Sequence, residues 1–200
     1  MSLGWTHEAP GRTVEWYTPP WIFEALGLKF ELDPAAPPGG VPWVPARRSF
    51  SELEDGLAQP WRGRVWLNPP YGRDIGRWLD RLATHGDGMA LVFARSDTRW
   101  FQSVVPRATA CCLIAGRIRF VTADGRTGPA SAGSPSALLA FGLSCALALS
   151  TARLGQTFLV PGPGSDRERE PRAVRQSPAR SLDSFKNLND SRDMVQKLER

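Results

Sequence analysis

The sequence has few of the residues that form disulfide frameworks or zinc sites. Its three cysteines include the adjacent pair Cys111 and Cys112 in an apolar run and Cys145 in another. This arrangement is not typical of a disulfide framework and favours a reduced, cytoplasmic setting. The two histidines, His7 and His85, have no cysteine or histidine neighbour at ligand spacing. We therefore expect no metal site.

Long hydrophobic runs are also missing. No apolar segment approaches the ~20 residues that a membrane span needs, and residues 1–10 lack a signal-peptide pattern. Hydrophobic residues nevertheless make up 42% of a 200-residue chain, which is enough for one globular domain with a full core. The 25 basic and 20 acidic residues leave a net charge of +5, which is compatible with a polyanionic partner.

What the sequence does contain is an abrupt end to a strand, in the stretch Val65-Trp66-Leu67-Asn68-Pro69-Pro70-Tyr71-Gly72. Two consecutive prolines donate no ladder hydrogen bonds, so the strand has to end at Leu67. Asn68 precedes a proline and is therefore biased toward extended geometry. The stretch predicts a stiff turn at the carboxyl end of a strand, where open α/β sheets bind ligands.

The groups in this turn suit chemistry on an amino group attached to an aromatic base. Such a nitrogen is a poor nucleophile because its lone pair is delocalised into the ring. The Asn68 side-chain oxygen and the Pro69 carbonyl can each accept one of its N–H bonds, while Tyr71 stacks on the ring. The same residue types are common turn formers, so the motif alone is equally compatible with a simple turn.

A capped helix is predicted near the start of the chain. Thr18 is placed to cap it, prolines occupy its first positions, and Gly27 ends it. Its predicted apolar face consists of Trp21, Ile22, Ala25 and Leu26.

An acidic residue closes the strand predicted next, over residues 28–33. Asp33 is followed by Pro34-Ala35-Ala36. At a strand's carboxyl end, an aspartate can bind the hydroxyls or ammonium group of a cofactor, or it can initiate a turn. Residues 37–45, rich in Pro and Gly, predict a loop.

The remaining pattern predicts an α/β sheet with an antiparallel end, because strands first alternate with helices and then cluster. We expect a helix at 75–84, a buried strand at 89–94, a helix capped by Ser96 or Asp97, an apolar strand at 109–115 followed directly by 116–121, and a last strand at 137–141. Residues 1–14 are expected to be an arm, 15–162 the domain, and 163–200 a flexible charged tail with too few apolar residues to pack.

Taken in order, these motifs resemble the phage-type DNA N6-adenine methyltransferase family, which is related to the Dam enzymes. The likeness covers about residues 15–142 and implies a phage or prophage origin. It implies a compact Rossmann-like class I methyltransferase sheet, mostly parallel with an antiparallel end. The sequence itself gives no sign of a separate target-recognition domain. The motifs are Thr18-Pro19-Pro20, Asp33-Pro34-Ala35-Ala36, Asp55-Gly56-Leu57, Asn68 to Gly72, Ala94-Arg95-Ser96-Asp97-Thr98, Gly116 to Phe120 and Ser134-Pro135-Ser136.

The resemblance implies S-adenosyl-L-methionine as methyl donor and adenine in double-stranded DNA as acceptor. It implies catalytic roles for Asn68, Pro69, Pro70 and Tyr71, and donor-binding roles for Trp16, Thr18, Pro19, Asp33, Ala35 and Asp55. The chain departs from the family in two respects. Asp-Pro-Ala-Ala replaces the usual glycine-rich turn, and only 35 positions separate Asp33 from Asn68, which leaves little room for the usual intervening sheet elements.

Two alternatives stay open at this point. The same catalytic motif suits an amino group of RNA or the amide of a protein glutamine. A DNA-binding protein that keeps the fold without binding the donor would also explain the missing glycine-rich turn. The segments that could contact DNA are 72–77, 95–99, 127–135 and the basic part of the tail.

Overall fold

The computed structural model describes residues 17–122, 125–128 and 132–161. Within these residues the chain forms a mixed α/β structure with a seven-stranded sheet and four α-helices. The predicted arm at 1–14, Trp16, the predicted tail at 163–200 and part of the 127–135 loop lie outside the described residues.

The elements follow one another in the order α1–β1–β2–β3–α2–β4–α3–β5–β6–α4–β7. The strands are β1 (Phe30–Asp33), β2 (Ala46–Ser49), β3 (Val65–Leu67), β4 (Gly88–Phe93), β5 (Ala110–Ile114), β6 (Ser136–Phe141) and β7 (Gly155–Leu159). The helices are α1 (Pro20–Leu26), α2 (Ile75–His85), α3 (Arg99–Val104) and α4 (Leu143–Thr151).

The sheet has the strand order β2-β1-β3-β4-β6-β5-β7. Neighbours among β2, β1, β3 and β4 are parallel, whereas β6 runs antiparallel to both β4 and β5, and β7 antiparallel to β5. The predicted α/β sheet with an antiparallel end is therefore confirmed. Because β1, β3 and β4 are parallel, their carboxyl ends meet at one edge of the sheet.

Helices cover both faces of the sheet, and each face has its own apolar cluster. Helices α1 and α4 contribute to one cluster with Ile22, Phe23, Leu26, Cys145, Ala146 and Leu149. Helices α2 and α3 contribute to the other with Ile75, Trp78, Leu79, Leu82, Phe101 and Val104. Both faces of the central strands are thus buried, as is typical of parallel sheets.

Strand β3 is fixed by aromatic packing. The buried Trp66 ring lies 4.6 Å from the Phe23 ring and 5.5 Å from the Phe30 ring, centroid to centroid. Val65 and Leu67 pack into the opposite cluster. The segment that leads into Asn68 is therefore held from both faces of the sheet.

The two predicted helix caps are wrong. Helix α1 has Pro19 rather than Thr18 at its N-cap, because Pro20 takes the first helical position, for which its fixed φ is suited. Helix α3 is capped by Thr98 rather than Ser96 or Asp97, since the Thr98 hydroxyl accepts the Phe101 N–H at 3.4 Å.

The predicted apolar face of α1 is partly wrong. Trp21 is 43% exposed, whereas Phe23 is buried with Ile22 and Leu26. The helix turns Phe23 toward the sheet because that ring packs against Trp66. The predicted end of the helix at Gly27 is confirmed. Gly27 adopts a left-handed φ of 61° and donates its N–H to the Phe23 carbonyl.

Three elements were not predicted, namely β2, α4 and β7. Strand β2 has the sequence Ala-Arg-Arg-Ser, which lacks an apolar pattern, and it forms by parallel pairing with β1. It also provides one sheet element in the short interval between Asp33 and Asn68. The segment 116–121 forms no regular strand, and Val121 makes isolated bridges with Tyr17 and Thr127.

The three cysteines are buried and free. In the ranges that the structure describes, no helix has the length and apolar character to cross a membrane. The same ranges contain no cluster of three or more His, Cys, Asp or Glu side chains placed to hold a metal ion.

Candidate functional site

A cavity of about 610 Å³ lies where β1 and β3 end. Three segments form most of its wall: the turn after β1 (34–37), the segment 51–57 and the loop after β3 (68–74). Tyr17 and, from α2, Arg77 and Trp78 complete the lining. Its volume falls in the range of sites that hold cofactors and other small molecules, about 300–1,000 Å³.

The turn after β1 is held by hydrogen bonds on both sides. The Asp33 carboxyl accepts the Ala35 N–H at 3.2 Å, and the Ala36 N–H donates to the Phe50 carbonyl at 2.9 Å. Ala35 lines the cavity, whereas Asp33 is only 5% exposed and does not line it. The structure therefore places Asp33 as a support of the turn.

Burial also changes the acidity of Asp33. Desolvation raises the pKa of this carboxyl to about 7, and the hydrogen bond from the Ala35 N–H opposes the shift. The side chain is therefore poised to gain or lose a proton near neutral pH.

Segment 51–57 presents a carboxylate at the cavity wall. A capping box orders its start, where Glu54 accepts hydrogen bonds from the Ser51 N–H at 2.7 Å and the Ser51 hydroxyl at 3.0 Å. Asp55 follows in the left-handed region with φ of 50°. Its carboxyl accepts the Leu57 N–H at 3.2 Å, which holds the local turn in which Asp55 lines the cavity.

The loop after β3 brings four predicted catalytic residues to the same cavity. Asn68, Pro69, Pro70 and Tyr71 all line it. The side-chain oxygen of Asn68 is shielded from solvent. Tyr71 is 45% exposed and stacks on Phe93, with ring centroids 4.3 Å apart and planes inclined by 21°.

The structure thus brings together six of the predicted site residues, Ala35, Asp55, Asn68, Pro69, Pro70 and Tyr71. Thr18, Pro19 and Asp33 are buried and do not line the cavity. The residue before Thr18, Tyr17, does line the cavity. The Thr18 carbonyl accepts a hydrogen bond from the Trp43 indole N–H at 2.8 Å. Trp16 lies outside the described residues.

Sequence reasoning missed Tyr17 and Phe93. Tyr17 reaches the cavity because its backbone pairs with Val121, more than a hundred positions away. Phe93 meets Tyr71 because β3 and β4 are parallel neighbours, with Leu67 opposite Ala90. Neither pairing has a local signal in the sequence.

Charges of both signs border the cavity. Arg73 and Arg77 line it together with Asp74, which accepts a hydrogen bond from Arg77 at 3.2 Å in an exposed ion pair.

The loop after β3 places an amide oxygen, a proline carbonyl and an aromatic ring beside a cofactor-sized cavity. This set of groups suits group transfer to an amino nitrogen on a flat ring.

The family model described as DNA N-6-adenine-methyltransferase (Dam) matches residues 8–144. The match covers more than half of the chain and includes every residue that lines the cavity. No curated protein and no solved structure matches the chain.

Proposed function

Because the chain belongs to the DNA N-6-adenine-methyltransferase (Dam) family, we propose that it transfers a methyl group from S-adenosyl-L-methionine to the N6 amino group of adenine in double-stranded DNA. The resemblance seen in the sequence motifs is confirmed by the family match. The observation that carries the proposed reaction is the cavity shared by the Asn68–Tyr71 loop and the turn after β1.

Support for a Rossmann-like class I methyltransferase domain over residues 15–162 comes from the sheet. A run of parallel strands is followed by β6, which lies antiparallel between β4 and β5. Both β1 and β3 end at the cavity. This is the edge at which open α/β sheets bind their ligands.

The residues present fit the proposed donor. The cavity has the volume for it, Ala35 would contact it through the backbone turn, and the Asp55 carboxylate can accept hydrogen bonds from hydroxyl or amino groups. Asp33 would hold the turn, while Trp16, Thr18 and Pro19 are proposed to support the donor's methionine end. When bound, the donor supplies an electrophilic methyl group on a positively charged sulfur.

On the acceptor side, the chain's own groups activate the amino nitrogen. The Asn68 oxygen and the Pro69 carbonyl would each accept an N–H bond, which draws the nitrogen toward pyramidal geometry and frees its lone pair. Pro69 and Pro70 restrict the loop, and β3 is packed on both faces, which would limit the reorganisation of these acceptors during reaction. The nitrogen would gain the methyl group as the methyl–sulfur bond breaks with its electron pair left on sulfur, and it would release one proton to solvent.

Adenine in a duplex is stacked and paired, so its amino group becomes reachable only when the base leaves the helix. Tyr71, half-exposed at the cavity, would replace the lost stacking with its aromatic face. Such base–aromatic stacking is worth about 1–3 kcal/mol.

The direct test measures N6-methyladenine in DNA. Purified protein is incubated with duplex DNA and S-adenosyl-L-methionine, and the products are digested and quantified by mass spectrometry. Asn68→Ala serves as the inactive control. A methylated adenine signal above that control supports the proposal, and equal signals from both proteins contradict it. Sequencing of the modified DNA would identify the flanking bases.

A DNA-binding protein without donor binding is the second candidate, and the Asp33-Pro34-Ala35-Ala36 turn is the observation that favours it. A ligand that binds only the folded state raises the melting temperature. A rise in melting temperature with S-adenosyl-L-methionine therefore supports the enzyme, whereas DNA binding without such a rise supports the second candidate.

A further inference from the structure

Tyr71 stands between the cavity and a second aromatic ring. One face of the Tyr71 ring stacks on Phe93 at 4.3 Å, and Tyr71 also lines the cavity. Phe93 is not part of the cavity lining. Tyr71 is 45% exposed, so this aromatic pair meets the cavity through Tyr71 and not through Phe93.

Phe93 is itself held from several sides. It is the last residue of β4, where it pairs with Ser136 of β6. Its ring meets the buried Phe120 ring edge-on, with centroids 6.5 Å apart and planes at 85°. The next residue, Ala94, donates its N–H to the Pro135 carbonyl at 2.8 Å. Phe93 is thus a fixed surface, whereas Tyr71 belongs to a loop.

We propose that Phe93 is a positioning residue that holds the Tyr71 ring in the plane on which the target base is received. The inference rests on the proposed function and deepens it. In the complex, Phe93, Tyr71 and the extrahelical base would form three stacked layers. Offset stacking of this kind restrains a ring beyond simple burial of its area. A base placed in a fixed plane presents its amino group to Asn68 and Pro69 at a reproducible angle.

A purely structural role for Phe93 makes a different prediction. Phe93 is half-buried and packs at the border of the apolar cluster that contains Trp66. If it only fills that border, Leu or Met at this position would change stability without altering the Tyr71 ring or the base. The fluorine signal of Tyr71 tests whether the stack with Phe93 exists in solution, and base flipping together with turnover separates the two roles.

The chain has two tyrosines, Tyr17 and Tyr71, so 3-fluorotyrosine labelling gives two fluorine NMR signals. Tyr71→Phe assigns them. Tyr17 contacts the Trp43 ring edge-on at 6.4 Å and serves as the internal reference. In Phe93→Leu we expect the Tyr71 signal to move toward its position in the unfolded protein, because the ring current of Phe93 is lost, while the Tyr17 signal stays in place.

The functional readout uses duplex DNA with 2-aminopurine at the target position and unmodified duplex for kinetics. Phe93→Leu should reduce the flipping signal and lower kcat/KM about three- to tenfold, the range expected for losing one aromatic pair. Affinity for S-adenosyl-L-methionine should not change. Phe93→Tyr, which keeps the ring, should restore both readouts.

Phe158→Leu is the matched control, because Phe158 lies on β7 and is 52% exposed. Phe93→Met is measured in parallel, so that the positioning role can still be tested if Phe93→Leu folds poorly. The positioning role is overturned if the Tyr71 signal does not move, or if it moves while flipping and turnover match those of Phe158→Leu.

Failure of the proposed function would look different. The parent protein would then neither flip nor methylate adenine, while the fluorine signals would still report the Tyr71–Phe93 stack. That result overturns the positioning role together with the function. Normal methylation by the parent combined with normal methylation by Phe93→Leu overturns the positioning role alone.

Discussion

Gly56 lies directly against the carbonyl oxygen of Pro34. A Cβ atom added at Gly56 would be 1.9 Å from that oxygen and 3.2 Å from the Trp78 ring. The contact joins two walls of the cavity, the turn after β1 and the segment 51–57. Only glycine fits at position 56, because a side chain there would meet the Pro34 backbone, which cannot move aside without displacing the turn.

The first prediction follows from this contact. Gly56→Ala should lower the free energy of unfolding by about 1–3 kcal/mol, the usual cost of overpacking. It should also weaken S-adenosyl-L-methionine binding, because the two walls are pushed apart. Gly133→Ala is the control, since a Cβ at that position meets nothing within 4 Å. If calorimetry finds equal donor affinity in both variants, the donor does not contact both walls.

The second prediction concerns how Asp33 acts. If the Asp33 side chain supports the turn through its hydrogen bond from Ala35, Asp33→Ala should weaken donor binding, whereas Asp33→Asn keeps an acceptor oxygen and should bind nearly as well as the parent. Isothermal calorimetry measures the donor affinity of the two variants and of the parent. Equal weakening in both variants would mean that the carboxylate charge itself faces the donor.

The third prediction concerns pH. In the fold the pKa of Asp33 is raised from 3.8 to about 7, so between these values the folded state holds a proton that the unfolded state has lost. Stability should therefore fall as pH rises from about 4 to 7 and level off above 7. Asp33→Asn removes this dependence, so its free energy of unfolding relative to the parent should rise by about 4 kcal/mol between pH 4 and pH 8, at about 1.4 kcal/mol per pKa unit.

Urea unfolding of both proteins at pH 5, 6, 7 and 8 measures that difference. The gap in free energy of unfolding between Asp33→Asn and the parent should widen with pH. A constant gap would show that Asp33 titrates near its ordinary value, and hence that water or a cation reaches it in solution.

The loop after β3 was predictable because its cause is local. Consecutive prolines end a strand in any context, and the observed strand indeed stops at Leu67. Strand β2 was not predictable, since its exposed Arg47 and Arg48 carry no apolar pattern and its formation depends on pairing with β1. The contact of Phe93 with Tyr71 likewise arises from the sheet order, which residue patterns alone do not determine.

The fourth prediction concerns the DNA backbone. Arg73 lines the cavity mouth, is exposed, and has no ion-pair partner within the part of the chain that the structure describes. If Arg73 binds a phosphate, Arg73→Gln should reduce the slope of log affinity against log salt by about 1. Arg107 provides the control because it already forms an ion pair with Asp80 at 2.8 Å. Arg107→Gln should leave the slope unchanged. Equal slopes in both variants would exclude a phosphate contact at Arg73.

The last prediction separates catalysis from turn formation in the loop after β3. Asn68→Ala should reduce kcat about 100- to 1,000-fold, as expected when one preorganised hydrogen-bonding group is removed from a transition state. Donor affinity should be kept, because the lost contact is made to the acceptor nitrogen. Tyr71→Phe should retain much of the activity, since it keeps the ring, whereas Tyr71→Ala should lose the 2-aminopurine flipping signal. A Tyr71→Ala protein that flips and methylates as well as the parent would show that Tyr71 only shapes the turn.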